Sequence, residues 1–290
     1  MKRIISLITI LLLCLLFIIS CKEEELIIFF DSNGGTGTMK SQIFIKRKPQ
    51  TLLPNAFTKN GYTFLGWCTN SDGAGDIFYD QQKVKMFENT ILYAQWNVTD
   101  IEGNIYNTVQ IGSQCWMKEN LKTRKYKTGE VIPIITDYNL WGELTNGAMC
   151  YYNNIEGYAT KYGALYNVYT VLTGNLCPDG WHVPSSDDWD ILVNHLGGYE
   201  VAGYKMKTTY DWKVFNGMNS NGNNESGFTA YPAGKRGVYH TQSHYNELNY
   251  SAYFWTLDEY LRVGKLSNNS GFFFPDYSSN AGYSVRCVKD

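Results

Sequence analysis

The chain has 290 residues, 25 basic against 27 acidic side chains, and an aromatic fraction of 16%. So even a balance excludes a partner held by phosphate neutralisation, whether nucleic acid or an anionic lipid surface. The length suffices for two compact domains with aromatic-filled cores, and 23 Tyr with 27 Gly at only 18% charged residues point to a β-rich extracellular module.

The first element is a targeting segment. Lys2 and Arg3 form a positive n-region, residues 4–19 form an apolar run, and Ile18-Ile19-Ser20 places a small residue directly before Cys21. A spanning helix needs roughly 20 apolar residues, and this run is shorter and is interrupted by Ser6 and Thr9. The segment resembles the bacterial lipoprotein signal, which implies cleavage of residues 1–20, acylation of Cys21 and a membrane partner reached through that lipid anchor. Each buried methylene contributes about 0.8 kcal/mol, so two or three acyl chains hold a protein at a bilayer essentially permanently. Residues 21–25 are the acylated cysteine and an acidic linker. Lys22-Glu23-Glu24-Glu25 resembles the basic-then-acidic tetrapeptide that, in Bacteroidetes-type bacteria, routes lipoproteins to the outside of the outer membrane; the other reading is a solvated charged linker. Loss of Lys2 and Arg3 leaves 23 basic against 27 acidic residues.

Residues 26–97 read as short strands joined by turn chemistry. Leu26-Ile27-Ile28-Phe29-Phe30 has the run of a buried strand, closed by Asp31-Ser32-Asn33-Gly34-Gly35, where positive φ is tolerated without Cβ strain. Ile43-Phe44-Ile45, then Tyr62 to Trp67 after the Asn60-Gly61 turn, then Ile91 to Trp96 complete the unit, with no helical period. Phe30 to Gly35, Gly61 to Trp67 and Leu92-Tyr93-Ala94-Gln95-Trp96 look like one copy of the Listeria–Bacteroides repeat, of the internalin B-repeat type. That resemblance implies a small β-grasp-like module, used as a spacer or weak adhesive element.

Residues 98–290 form the second domain: Val98-Thr99-Asp100 is a short junction, and from Ile101 the composition shifts towards Tyr, Asn and Gly. Tyr162 to Leu172 predicts one helix, with Leu165, Val168, Tyr169 and Leu172 on one apolar face. A second helix is predicted from the cap Ser185-Ser186-Asp187-Asp188, through Trp189, Leu192, Val193 and Leu196, to the exit at Gly197-Gly198. Strands are expected near Ala148–Tyr152, Phe228–Tyr231, Tyr253–Thr256 and Tyr283–Val288. Trp116-Met117-Lys118-Glu119-Asn120-Leu121, Tyr162 to Asn167, Cys177 to Pro184, Gly227-Phe228-Thr229-Ala230 and Gly282 to Val288 resemble, in order, the Fibrobacter succinogenes major paralogous domain. The resemblance implies a C-type-lectin-like α+β fold, related in shape to sulfatase-modifying factors, and neither lectin activity nor catalysis by itself. The expected fold class is therefore α+β, a small β-grasp-like module followed by a C-type-lectin-like domain.

Beyond Cys14 and Cys21, five cysteines remain, so at least one thiol is unpaired within a monomer. Export favours disulfides. The expected pairs are Cys177 with Cys287, because Arg286-Cys287 reads as a core strand, and Cys115 with Cys150; Cys68 is the supposed odd thiol. A loop of about 100 residues closed by a disulfide stabilises by roughly 4 kcal/mol in the chain-entropy picture.

Catalytic signals are weak. The chain has four histidines and neither a phosphate-cradling Gly-x-x-x-x-Gly-Lys loop nor a Gly-x-Ser-x-Gly elbow. No Cys-x-x-Cys pair supports zinc, and His240-x-x-x-His244 lies in a stretch without helical period, so a loop with two incidental histidines is the better reading. No cofactor is expected. Calcium needs several converging oxygens, for which Asn223-Asn224-Glu225 and Asp258-Glu259 are the available sources. The strongest remaining signal is Tyr239 to Tyr260, more than half Tyr, Asn, Ser, His and Asp, the composition of antibody paratopes. Tyr239, Tyr245, Tyr250 and Tyr260 could stack on sugar C–H faces or a protein, with Arg262 orienting a carboxylate, while Tyr253 and Trp255 read as strand core. The expected function is a non-catalytic, lipid-anchored outer-membrane protein, exposed at the cell surface, that presents this face to glycan or protein. The alternatives are an enzyme related to the sulfatase modifiers and a purely structural envelope component.

Overall fold

The computed structural model describes residues 23–71, 75–214, 216–217, 219–239, 242–258, 262–275 and 279–290; of these, the side chains of 238, 239, 242 and 243 are not described. The signal segment, Cys21, His240, Glu259 and Tyr260 lie outside the described residues. Contacts divide the chain into two compact units, one formed by residues up to Lys59 with Phe64–Trp96, the other by Asn60–Thr63 with Asn97–Asp290.

The first unit is built of strands β1 (Glu25–Asp31), β2 (Gln42–Ile45), β3 (Pro49–Thr51), β4 (Thr63–Cys68), β5 (Ile77–Phe78), β6 (Lys83–Lys85) and β7 (Thr90–Thr99). The main sheet runs β2-β1-β7-β4-β5, with β1 parallel to β7, and β3 pairs with β6 apart from it. Strand β1 was expected to be buried throughout, but only Leu26 and Ile28 are, while Ile27 and Phe29 are exposed. One face of the sheet covers the core and the other is open, so the side-chain period of two divides an apolar run between them. Trp67 fills the core among the rings of Phe30 (4.8 Å), Phe64 (4.9 Å) and Phe57 (6.1 Å). At the turn after β1, Asn33 and Gly34 take positive φ, and the Asp31 carboxylate accepts the Asn33 N–H at 2.7 Å. Cys68 is a buried free thiol.

The second unit continues with β8 (Ile105–Tyr106), β9 (Thr108–Ile111), β10 (Gln114–Met117), β11 (Met149–Cys150), β12 (Leu165–Tyr166) and β13 (Trp181–His182). It ends with β14 (Ala233–Tyr239), β15 (Gln242–Leu248), β16 (Ala252–Trp255), β17 (Val263–Leu266), β18 (Phe272–Phe273) and β19 (Val288–Lys289). Its helices are α1 (Tyr138–Glu143), α2 (Ala159–Tyr162), α3 (Val168–Leu172), α4 (Ser186–His195) and α5 (Tyr199–Met206). One sheet has the order β13-β19-β10-β9, another β15-β14-β16-β17-β18, and β11 pairs with β12. The architecture is mostly β with short helices, an α+β arrangement.

Helix α4 forms as its capping box predicts: the Ser185 hydroxyl accepts the Asp188 N–H, the Asp188 carboxylate accepts the Ser185 N–H, and Trp189, Leu192 and Val193 face inward. Gly197 and Gly198, both at positive φ, end it. The single helix expected over Tyr162–Leu172 is instead α2, the strand β12 and α3. Gly163 adopts φ +74° where a Cβ would lie 2.6 Å from Asn120, and Asn167 starts a new helix by accepting the Thr170 N–H at 3.0 Å. Of the expected strands, Phe228–Tyr231 forms only a bridge from Ala230 to Lys207, because Thr229 takes φ 59°, and Tyr283–Val288 is reduced to isolated bridges at Tyr283 and Ser284, with β19 beginning only at Val288.

Cys177 and Cys287 are joined by a disulfide with Cα atoms 6.0 Å apart. Val288, the next residue, pairs with both Trp116 of β10 and His182 of β13, so the cross-link and the last strand hold one edge of the domain together. The pairing expected for Cys115 and Cys150 is not formed. Both are free thiols: Cys115 Sγ lies 3.2 Å from the Tyr62 hydroxyl, and Cys150 is buried, where desolvation pushes its thiol pKa up beside Arg236 and Tyr245.

Candidate functional site

Seven tyrosines from separate elements form a chain of ring contacts across the second unit. Helix α1, capped by the Asp137 carboxylate on the N–H groups of Asn139 (2.9 Å) and Leu140 (2.8 Å), carries Tyr138 at its first position. Its ring meets Tyr245 of β15 edge-on at 6.0 Å, and Tyr245 packs on Tyr152 at 5.2 Å. Tyr158 and Tyr162, four residues apart across the start of α2, extend the series with spacings of 6.3 and 5.6 Å. Tyr231 (6.4 Å) and Tyr210 (6.0 Å) complete it. The inner members are buried or half-buried, whereas the ends are open, Tyr138 at 45% and Tyr210 at 54% exposure.

Cations polarise both ends of this ladder. The Arg236 guanidinium, fully buried, donates to the carbonyls of Ile135 (2.6 Å) and Asp137 (2.7 Å) and lies 4.3 Å from Trp141, 5.2 Å from Tyr245 and 5.5 Å from Tyr138. At the other end Lys161 sits over Tyr162 (5.3 Å) and Tyr231 (5.6 Å) while pairing with Asp211 at 2.7 Å. Inner hydroxyls are used for order: Tyr245 donates to Asn154 Oδ1 at 2.6 Å and Tyr162 to Asn249 Oδ1 at 3.2 Å. Burial raises the Tyr245 hydroxyl pKa, so it remains a hydrogen-bond donor at physiological pH.

Among the described residues singled out from the sequence, Tyr245, Tyr250 and Arg262 sit against different partners. Tyr245 belongs to the ladder and is half-buried in it. Tyr250 is 40% exposed under the Lys213 ammonium (5.3 Å), and Arg262 is exposed with its guanidinium 5.7 Å from Phe274. Tyr239 ends β14, its side chain outside the description, as is Tyr260 altogether. Tyr253 and Trp255 are buried core residues; the Tyr253 ring lies between Lys235 (4.6 Å) and Lys265 (4.8 Å), with its hydroxyl donating to Glu247. Sequence reasoning missed Tyr138, Tyr152, Tyr158, Tyr210 and Tyr231, whose only local signal is the i,i+4 spacing of Tyr158 and Tyr162.

Among the described residues, oxygens considered for calcium are engaged internally. Asp258 accepts the Ser186 N–H (2.8 Å) and hydroxyl, and the Asn224 side chain bonds to Thr229. Among the described residues no group of three or more His, Cys, Asp or Glu is placed to hold a metal ion. His244 is on strand β15, not on a helix.

His182 sits between two carboxylates, Asp188 at 3.1 Å and Asp290 at 2.7 Å. The hydrogen bond that His182 donates to the Asp188 carboxylate raises the His182 pKa above its ordinary 6.5 against the opposing effect of burial. Burial alone would raise Asp188, but bonds from His182 and Ser185 outweigh it and hold the carboxyl at about 2. The stabilisation from His182 is therefore complete below its unfolded pKa of 6.5 and lost as pH rises through the raised folded value; that from Asp188 is present above 3.8 and lost as pH falls towards about 2. Melting temperature should peak between about pH 4 and 6. In thermal melts, His182→Gln should remove the decline on the alkaline side, and an unchanged decline would assign it to other groups.

The sequence profile of the Fibrobacter succinogenes major domain matches residues 109–289, well over half of the chain. The chain belongs to this family. Ahead of the Fibrobacter major domain, the profile of the Listeria-Bacteroides repeat domain matches residues 27–95. The family's motif residues serve the fold: Trp116 packs at a tilt on Trp189 with ring centroids 4.7 Å apart, Asn167 caps α3, and Asn120 binds Arg286. Over 84 residues the chain is 31% identical to "Putative Gly-rich membrane protein" of Evansella cellulosilytica, a stretch covering 28% of this chain and 9% of that protein's length. No solved structure matches.

Proposed function

We propose that the chain is a non-catalytic, surface-exposed outer-membrane lipoprotein: an acylated Cys21, a β-grasp-like spacer over 26–97, and a C-type-lectin-like Fibrobacter major domain over 98–290 that binds glycan or protein. Family membership and the lipoprotein-type signal support the placement at the envelope. Among the described residues no helix is long and apolar enough to cross a membrane, and in this reading the lipid supplies the anchor. The observation that carries the binding role is the tyrosine ladder with its two open ends. Stiff, amphipathic rings offer contact area at low entropic cost, and ordered inner hydroxyls hold them in place before a ligand arrives. Against the sulfatase-modifier alternative, Cys287 is fully buried and consumed in a disulfide, so it offers no thiolate for catalysis.

Binding of the full chain to a glycan array and to host-surface proteins tests this reading. The Tyr138→Ala/Tyr210→Ala variant should weaken whatever ligand is found by about tenfold or more, equivalent to ~1.4 kcal/mol. Equal binding by variant and parent would remove the ladder from the site.

A further inference from the structure

A separate cleft of about 580 Å³ opens in the second unit, within the size range of small-molecule sites. Its walls come from two tightly held loops and the segment that leads into α2. Asp100, itself buried, accepts the N–H groups of Glu102 (3.0 Å) and Asn104 (3.0 Å), the Asn104 amide (2.9 Å) and the Tyr106 hydroxyl (2.7 Å), which fixes one wall. The buried Thr123 hydroxyl donates to the Lys125 carbonyl at 2.9 Å and accepts its N–H at 3.2 Å, which sets the other and turns Lys122, Arg124 and Lys125 towards the space. Tyr151, Glu156 and Thr160 close it.

The charges are unevenly used. Arg124 is engaged by Glu102 at 3.4 Å and by Glu156 at 3.7 Å. Among the described residues Lys122 and Lys125 have no carboxylate within ion-pair distance, and the Tyr151 hydroxyl, in an otherwise buried side chain, makes no hydrogen bond. Burial, and then the charge of Glu156, raise the Tyr151 pKa, leaving it a donor. Two ammonium groups without a carboxylate partner, Lys122 lying 5.9 Å from the Tyr106 ring, stand beside two carboxylates and suit a ligand with one anionic group and several hydroxyls. A purely acidic peptide would meet Glu156, whose side chain is largely exposed.

We propose that this cleft binds an acidic sugar unit: Lys122 and Lys125 take its carboxylate or sulfate, and Glu156, Asn104, Thr160 and the Tyr151 hydroxyl take its ring hydroxyls. Charged acceptors strengthen the hydroxyl bonds, and partial burial limits the screening of the ammonium–anion pairs. The cleft shares no residue with the tyrosine ladder, although its wall from Tyr151 to Thr160 runs beside the ladder members Tyr152 and Tyr158 in the chain.

Calorimetric titration of the full chain with a galacturonate tetramer, a sulfated galactan tetramer and the uncharged galactan tetramer tests the proposal. At least one acidic tetramer should bind tenfold or more tightly than the neutral one, and which of the two does so identifies the anion. Lys122→Met/Lys125→Met should lose tenfold or more of that affinity, and Lys122→Arg/Lys125→Arg should retain it. Equal affinity for acidic and neutral tetramers, absence of binding by both acidic ones, or a Met double variant that melts and binds like the parent would overturn it.

Discussion

Asn120→Leu should destabilise the Fibrobacter major domain by about 3–5 kcal/mol, because it strands a buried positive charge. Arg286 is fully buried, its ring neighbours Phe228 (4.2 Å) and Phe254 (5.5 Å) offering only π-faces. Desolvation lowers its pKa to about 9, which still leaves the guanidinium charged at neutral pH. Its compensation is hydrogen bonding: Nη2 and Nε donate to Asn120 Oδ1 at 2.6 and 3.2 Å, and Nη1 donates to the Phe228 carbonyl. Asn120 in turn donates to the Tyr162 carbonyl (2.9 Å) and contacts the Ser284 hydroxyl (3.2 Å), so one amide joins three separate segments. A loss of this size is a large part of the 5–15 kcal/mol that typically separates folded from unfolded domains. Urea unfolding followed by tryptophan fluorescence measures it. The double variant Asn120→Leu/Arg286→Met should recover part of the loss, since replacing both members of a buried polar pair costs less than orphaning one. A single variant that unfolds at the parent's urea midpoint would show that the charge is satisfied elsewhere.

The second large effect is expected at Lys207. Its ammonium donates to the carbonyls of Ser220 (2.7 Å), Ser267 (2.9 Å) and Asn269 (2.8 Å) and lies 4.9 Å from the Trp212 ring. Burial draws its pKa down to about 8, which still keeps it charged at neutral pH. Lys207 thus does for two loops what a small cation would do, gathering carbonyl oxygens that have no strand partner. Lys207→Met preserves the stem and removes the donor, leaving three acceptors to find water or remain unsatisfied. At about 1–3 kcal/mol for each unsatisfied group, a loss of ~3 kcal/mol or more follows. Hydrogen exchange should show the loops around residues 219–223 and 266–271 opening first. Exchange rates there equal to the parent's would contradict the clamp.

The locally encoded parts of the fold were legible. The Ser185–Asp188 capping box and the Gly197-Gly198 exit predicted α4 because a cap is a contact between residues three apart. Turn chemistry placed β1, β2, β4 and β7 for the same reason. The apolar period over Tyr162–Leu172 misled because it does not register Gly163, which must turn back where Asn120 and Leu121 approach, nor the competing cap at Asn167. Tyr245 was recognisable as a tyrosine in a paratope-like stretch, yet its partners Tyr138 and Tyr152 lie about a hundred residues earlier, and no spacing announces such a contact.

By itself the sequence determined the order of repeat and major domain, the α4 cap and the family. Each rests on residues adjacent or nearly adjacent in the chain, where propensity and hydrogen bonding act before any long-range contact forms. Only the tertiary structure decided which tyrosines stack, which cations are buried, that Cys177 joins Cys287 while Cys115 and Cys150 stay free, and where the polar cleft opens. Those outcomes depend on desolvation and on contacts between distant segments, and both exist only once the chain has closed on itself.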